Sequence, residues 1–219
     1  MDAFDLILSI FIVLVALIIS AVGREIMSGL MAVRYGDETP RLNGRITLNP
    51  LKHIDILGSI IMPLTLLLLG APFLFGYAKP MPVDFSNIAK ASGYKGCLKV
   101  ALAGTFFNFF MAFLCVLILK IALMFGILTQ GNPISQFIFT LFYTNIVLAI
   151  FNLLPLPPLD GAKILAYLGL IFNISIFAKW YNNLEKYGMI LLLLVVLLPP
   201  TQSFIASSIK FISILFLQI

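Results

Sequence analysis

The chain has 219 residues, of which 61% are hydrophobic and only 11% charged, and its mean hydropathy is +1.10. A soluble domain carries about a quarter charged residues, so the composition excludes an ordinary soluble enzyme and points to a polytopic membrane protein. The formal net charge is +5, but the basic residues lie in short connections between apolar runs, where membrane proteins keep them for orientation. No nucleic-acid partner is expected. Cys97 and Cys115 are too far apart for a Cys-x-x-Cys metal or redox site. The N-terminus has no basic leader region, so the first helix is expected to stay in the mature protein.

Residues 6–23 are free of charge and long enough to begin a spanning helix that continues through Glu25 toward Val33 and stops at Tyr35-Gly36-Asp37. Near its end stands Arg24-Glu25-Ile26-Met27-Ser28. Charged groups at membrane depth are expensive and by default mark a functional site. The bland alternative is an ion pair near a helix end with the arginine reaching outward. Positions 24 and 28 lie one helical turn apart. Two histidines there would make His-Glu-x-x-His, in which two imidazoles on one helix face bind zinc and the glutamate acts as general base. Arg24 and Ser28 stand in their place, so the frame is present and the ligands are not.

Residues 38–55 are polar and rich in turn formers. Asn43-Gly44 is a hairpin-type dipeptide followed by the β-compatible Arg45-Ile46-Thr47-Leu48, which predicts an interfacial loop or a small β-hairpin. His53, the only histidine, reads as a loop hydrogen-bonding residue. Residues 56–78 carry no charge, but Pro63 and Gly70-Ala71-Pro72 interrupt them and the basic residues on the two flanks balance. This predicts a segment that enters and leaves on one face or lies across the bundle.

A long helix is predicted over 100–128, carrying the small-residue surface and amide of Ala103-Gly104-Thr105-Phe106-Phe107-Asn108, with a turn at Gln130-Gly131-Asn132-Pro133. Residues 134–154 span again and hold Asn145 and Asn152. The chain then breaks at Pro155-Leu156-Pro157-Pro158-Leu159-Asp160-Gly161, an irregular stretch that presents one carboxylate inside the membrane. Read alone, Asp160 is also a good helix N-cap, and the three asparagines are also suited to tying membrane helices together. Beyond it come a short apolar segment over 164–178, an aromatic and basic anchor at Lys179-Trp180-Tyr181, and closing helices over 187–198 and 201–217 separated by Pro199-Pro200.

Taken in order, these stretches resemble the site-2 protease family of intramembrane zinc metalloproteases in its short bacterial form. Four carry the resemblance: Arg24-Glu25-Ile26-Met27-Ser28-Gly29 with Gly36-Asp37; the loop from Gly44 to Asp55 running on to Gly76-Tyr77-Ala78-Lys79-Pro80; Ala103-Gly104-Thr105-Phe106-Phe107-Asn108, with Thr105 where the family usually has proline; and Asn152-Leu153-Leu154-Pro155 through Leu159-Asp160-Gly161. The resemblance implies an all-α polytopic fold with a three-helix core (residues 7–33, 100–128 and 134–154) that brings Glu25 and Asp160 together. It implies one membrane domain over 1–219, with the core at 4–162 and C-terminal helices at 163–219, in a bacterial inner membrane. Its activity would be cleavage of transmembrane segments of substrate proteins. Glu25 would be the general base, Asp160 the third zinc ligand, Asn152 a polar group beside the reaction and Asn108 a lining residue of the substrate cavity. Zinc is the family's metal. With Arg24 and Ser28 at the histidine positions no zinc is expected in this chain and the protease is expected to be disabled; the alternative is a natural pseudoprotease that binds transmembrane helices as a regulator or scaffold.

Overall fold

A computed structural model of the chain describes residues 3–55, 61, 64, 65, 68, 78–129 and 132–218. The expectation for 56–78 therefore falls, isolated positions apart, outside the described residues. The fold is all-α and polytopic, and the described residues contain no strand. Helix α1 (Ala3–Arg34) has 32 residues; at about 1.5 Å per residue it exceeds the roughly 30 Å of a hydrocarbon core. A short α2 (Thr39–Leu42) and a 3₁₀ turn (Pro50–His53) follow. Then come α3 (Phe85–Met124), α4 (Pro133–Asn152), α5 (Asp160–Ile171), α6 (Ile176–Glu185), α7 (Gly188–Leu197) and α8 (Pro199–Gln218). Among the described residues, α1, α3, α4 and α8 are long and apolar enough to cross a membrane.

Two expectations are corrected. Of the two alternatives for the stretch after α1, the hairpin does not form: Pro40 sits in the first turn of α2, Asn43 ends that helix and Gly44 takes φ +60°, so Asn-Gly serves as a helix stop. The second core helix starts fifteen residues before Val100, at Phe85, where the Asp84 side chain accepts from the N–H groups of Ser86 and Asn87. Hydropathy missed this extension because it carries Lys90, Lys95 and Lys99 out of the apolar zone, and because Gly93 at φ +65° breaks the helix within it.

Helices α1, α3 and α4 pack around small side chains, with Ala16, Ala112 and Ala149 fully buried beside Phe142 and Ile146. Lipid offers no hydrophobic drive between apolar helices, so close approach at small residues supplies the contact energy. Leu192 of α7 with Ile205 and Ile209 of α8 complete this core. A polar layer crosses it. Asn108 donates to Asn145 Oδ1 at 2.8 Å, Asn145 donates to Ser20 Oγ at 2.8 Å, and the Ser20 hydroxyl donates to the Ala16 carbonyl at 2.7 Å. One side chain from each core helix thus sets their relative register.

At the end of α1 a second polar hub ties the loops down. Asp37, fully buried, accepts from Thr39 N–H and Oγ1, from Asp84 N–H at 2.8 Å and from Asn87. Burial alone would raise its pKa, but these donors outweigh it and hold the carboxyl below the usual aspartate range.

Replacing Asn145 by leucine leaves the Asn108 amide only its longer bond to the Ser20 carbonyl, at 3.4 Å, and is expected to cost about 1–2 kcal/mol, read as earlier unfolding in detergent. For Asp37 the lowered folded-state pKa means its stabilisation is complete above about pH 4, the ordinary aspartate value. That contribution is lost as pH falls through the lowered value. Acid titration of stability should therefore be shallower for Asp37→Asn than for the parent; parallel curves would contradict this reading.

Candidate functional site

Glu25 and Asp160 stand 135 positions apart in the chain and meet on one guanidinium. Arg24 Nη1 donates to Glu25 Oε1 at 2.7 Å, and Arg24 Nη2 donates to Asp160 Oδ2 at 2.5 Å. Lys163, one turn along α5, places Nζ 3.5 Å from Asp160 Oδ1. The second oxygen of Glu25 accepts the main-chain N–H of Met81 at 2.6 Å. Two cations and two carboxylates thus share one buried cluster whose formal charges cancel. Charges as poorly hydrated as Glu25, Arg24 and Asp160 are tolerated only when paired and hydrogen-bonded.

Two glycines make the meeting sterically feasible. A Cβ on Gly104 of α3 would lie 2.8 Å from Arg24 Cγ and 3.0 Å from Ser28 Oγ, so α3 must be bare where α1 presents those side chains. A Cβ on Gly161 would fall 2.2 Å from the Leu153 carbonyl oxygen. The start of α5 therefore crosses the end of α4 backbone against backbone, and this crossing turns Asp160 toward α1.

The cluster opens into a cavity of about 450 Å³ lined by Arg24, Glu25, Ser28, Met81, Asn152, Asp160 and Lys163 among others. Asn152 is among the residues that line it, while its Nδ2 donates to the Leu148 carbonyl of its own helix. Asn108 is not. It is fully buried in the polar layer between α1 and α4, bonded to Asn145, and lies outside this lining. His53 is not among the lining residues, and its ring bonds the Thr47 carbonyl. A second cavity of about 600 Å³ adjoins the first, and the two share Val83, Phe85, Lys163, Tyr181 and Glu185. Sequence reasoning gave Lys163, Tyr181, Glu185 and Met81 no role at the site. Only Lys163 carried a signal, its i+3 spacing from Asp160; Met81 contributes through its backbone, which no side-chain pattern reports.

The donor set does not suit zinc. A guanidinium keeps its proton and has no lone pair to offer, the Ser28 hydroxyl is not among the usual zinc donors, and one oxygen of Asp160 already holds Arg24. Among the described residues no three His, Cys, Asp or Glu side chains converge.

Residues 120–195, which contain Asn152 and Asp160, match the sequence pattern of Peptidase family M50. Over 188 residues the chain is 34% identical to the Bacillus subtilis protein named "Putative zinc metalloprotease YwhC", covering 84% of this chain and 80% of that one. A shorter match, 43% identity over 54 residues, is to "Putative zinc metalloprotease FN1322" of Fusobacterium nucleatum and spans 25% of this chain and 16% of that protein. No solved structure matches. The helical bundle that carries Glu25 on α1 and Asp160 after α4, and the identity extending over most of both chains, lead to one conclusion: this protein belongs to Peptidase family M50, the site-2 protease family of zinc metalloproteases.

Proposed function

We propose that the chain is a site-2 protease in architecture, embedded in a bacterial cell membrane and built to receive transmembrane segments of other membrane proteins, in which hydrolysis is silent because Arg24 and Ser28 replace the two metal-binding histidines. The observation that carries this is the Arg24 guanidinium lying between Glu25 and Asp160. In that place it repels a divalent cation and occupies the carboxylate that would bind one. Glu25, the base of the family reaction, is at the same time held through both oxygens, by Arg24 and by Met81 N–H. The cavity beside the cluster and the bacterial relatives support the helix-binding and membrane parts of the reading.

A second reading, a natural pseudoprotease that binds transmembrane helices as a regulator or scaffold, draws on the completeness of the charge cluster. Arg24 and Lys163 together bring two positive charges to two carboxylates, so the bundle needs no metal for electrostatic balance. Both readings share the silent centre. They differ on whether the cleft still supports chemistry once the ligands return.

The double reversion Arg24→His, Ser28→His separates them. It recreates two imidazoles and one carboxylate with an open position for water, the arrangement a catalytic zinc requires. It should take up one zinc per chain by metal analysis, gain thermal stability on zinc addition where the parent gains none, and cleave a transmembrane substrate. Adding Glu25→Gln should keep the metal and abolish cleavage. A double reversion that binds zinc but cleaves nothing favours the pseudoprotease, and one that binds no zinc rejects the metal-site assignment.

The Arg24 bridge has its own test. Arg24→Leu leaves two buried carboxylates without their shared cation and should cost about 3–5 kcal/mol. In a background carrying Glu25→Gln and Asp160→Asn the same change should cost under about 1.5 kcal/mol. Equal losses in both backgrounds would show that the guanidinium is not neutralising the pair.

A further inference from the structure

Residues 79–84 have neither helix nor strand and meet α1 at Glu25, which accepts the Met81 N–H, and at Gly29, against which the Met81 side chain lies. Pro80 and Pro82 have no N–H, so Met81 supplies the one main-chain donor between them, and that donor is given to Glu25 Oε2. The carbonyls of Lys79 and Pro80 both accept from Arg45 Nη2, at 2.8 and 3.4 Å, and the Lys79 N–H donates to the His53 carbonyl at 2.7 Å. At the far end the Asp84 N–H donates to Asp37. Glu25 of α1 and Asp37 in the turn just beyond its end, twelve residues apart, therefore both hold this strap. The Met81 side chain, 8% exposed, rests where Gly29 leaves room: a Cβ at position 29 would lie 3.1 Å from Met81 Sδ.

We infer that residues 79–82 form a self-held closure of the site, and that a peptide segment reaches Glu25 only after Met81 leaves it. A main-chain segment already lies against the Glu25 carboxylate, and the hydrogen-bonding groups between Lys79 and Met81 N–H are spent on the protein itself, so the closed strap offers none of them to an incoming chain. Arg45 is the latch. It is 9% exposed, its Nε has no partner, and no carboxylate among the described residues pairs with it. A cation held only by two carbonyl dipoles regains full hydration when the strap lifts, which lowers the cost of opening compared with breaking an ion pair. The closure regulates the site described above and rests on that site being where a segment would bind, but its test needs neither zinc nor cleavage.

Ser28 lines the cavity beneath the strap, and the native Cys97 and Cys115 are buried. A Ser28→Cys variant of the full chain in lipid vesicles is treated with N-ethylmaleimide, and each thiol is followed separately by mass spectrometry. Labelling of position 28 should be slow. Adding Arg45→Ala removes the latch and should accelerate it by about tenfold or more, the size of losing a charged hydrogen bond. Gly29→Leu, which evicts Met81 from the α1 side without touching Arg45, should accelerate it as well. Unchanged rates in both variants would overturn the inference. So would acceleration accompanied by reactive Cys115, because then the bundle and not the strap has opened. Since the double reversion is read by zinc and cleavage, the closure and the proposed function can fail independently.

Discussion

Two carboxylates inside an apolar bundle must be neutralised, and in this protein a guanidinium does it. Arg24 and Lys163 bring to Glu25 and Asp160 the same two positive charges that a divalent ion would bring, with each hydrogen bond directed at a specific oxygen. The carboxylates of the cluster are thereby paired by side chains of the protein itself. Removing one partner of such a cluster costs far more than the cluster contributes over an apolar replacement. This asymmetry ties the identities of residues 24, 25 and 160 to one another although they come from opposite ends of the core.

The cluster depends in turn on close backbone approach. Gly104 gives the Arg24 and Ser28 side chains their place against α3, Gly161 lets α5 start across the end of α4, and Gly29 seats Met81. Each glycine sits where two elements would otherwise be held apart by a Cβ. The polar layer of Ser20, Asn108 and Asn145 then fixes how α1, α3 and α4 are rotated, which decides that Asn152 faces the cavity and Asn108 does not. Unpaired amides are costly in a low-dielectric interior, so this layer selects one register over others with similar apolar contact.

Around the cluster, α1 serves as a rail. Glu25 and Asp37 both accept main-chain N–H groups from the segment that leads into α3, and Asp84 in that segment also caps α3. The segment therefore takes its position from one carboxylate on α1 and one in the turn that follows it. On the opposite wall stands α6, an amphipathic helix without a buried residue, whose Tyr181 and Glu185 line both cavities. The cleft thus runs between a strap fixed to α1 and a helix packed on α5.

Read in sequence, the hydropathy of the runs determined a membrane-embedded helical bundle, and the motifs around residues 24–29 and 152–161 carried its resemblance to the site-2 protease family. These properties are local: a run is apolar, or a residue sits one turn from another, whatever the rest of the chain does. The tertiary structure alone decided that Arg24 reaches across 136 positions to Asp160, that Met81 closes on Glu25 through its backbone, and that Asn108 turns into the core. It also decided that Asn43-Gly44 ends a helix and that α3 begins at Phe85. Each depends on how helices are rotated and how closely their backbones approach, and that follows from packing and from pairing buried polar groups, which no pattern of single residues encodes.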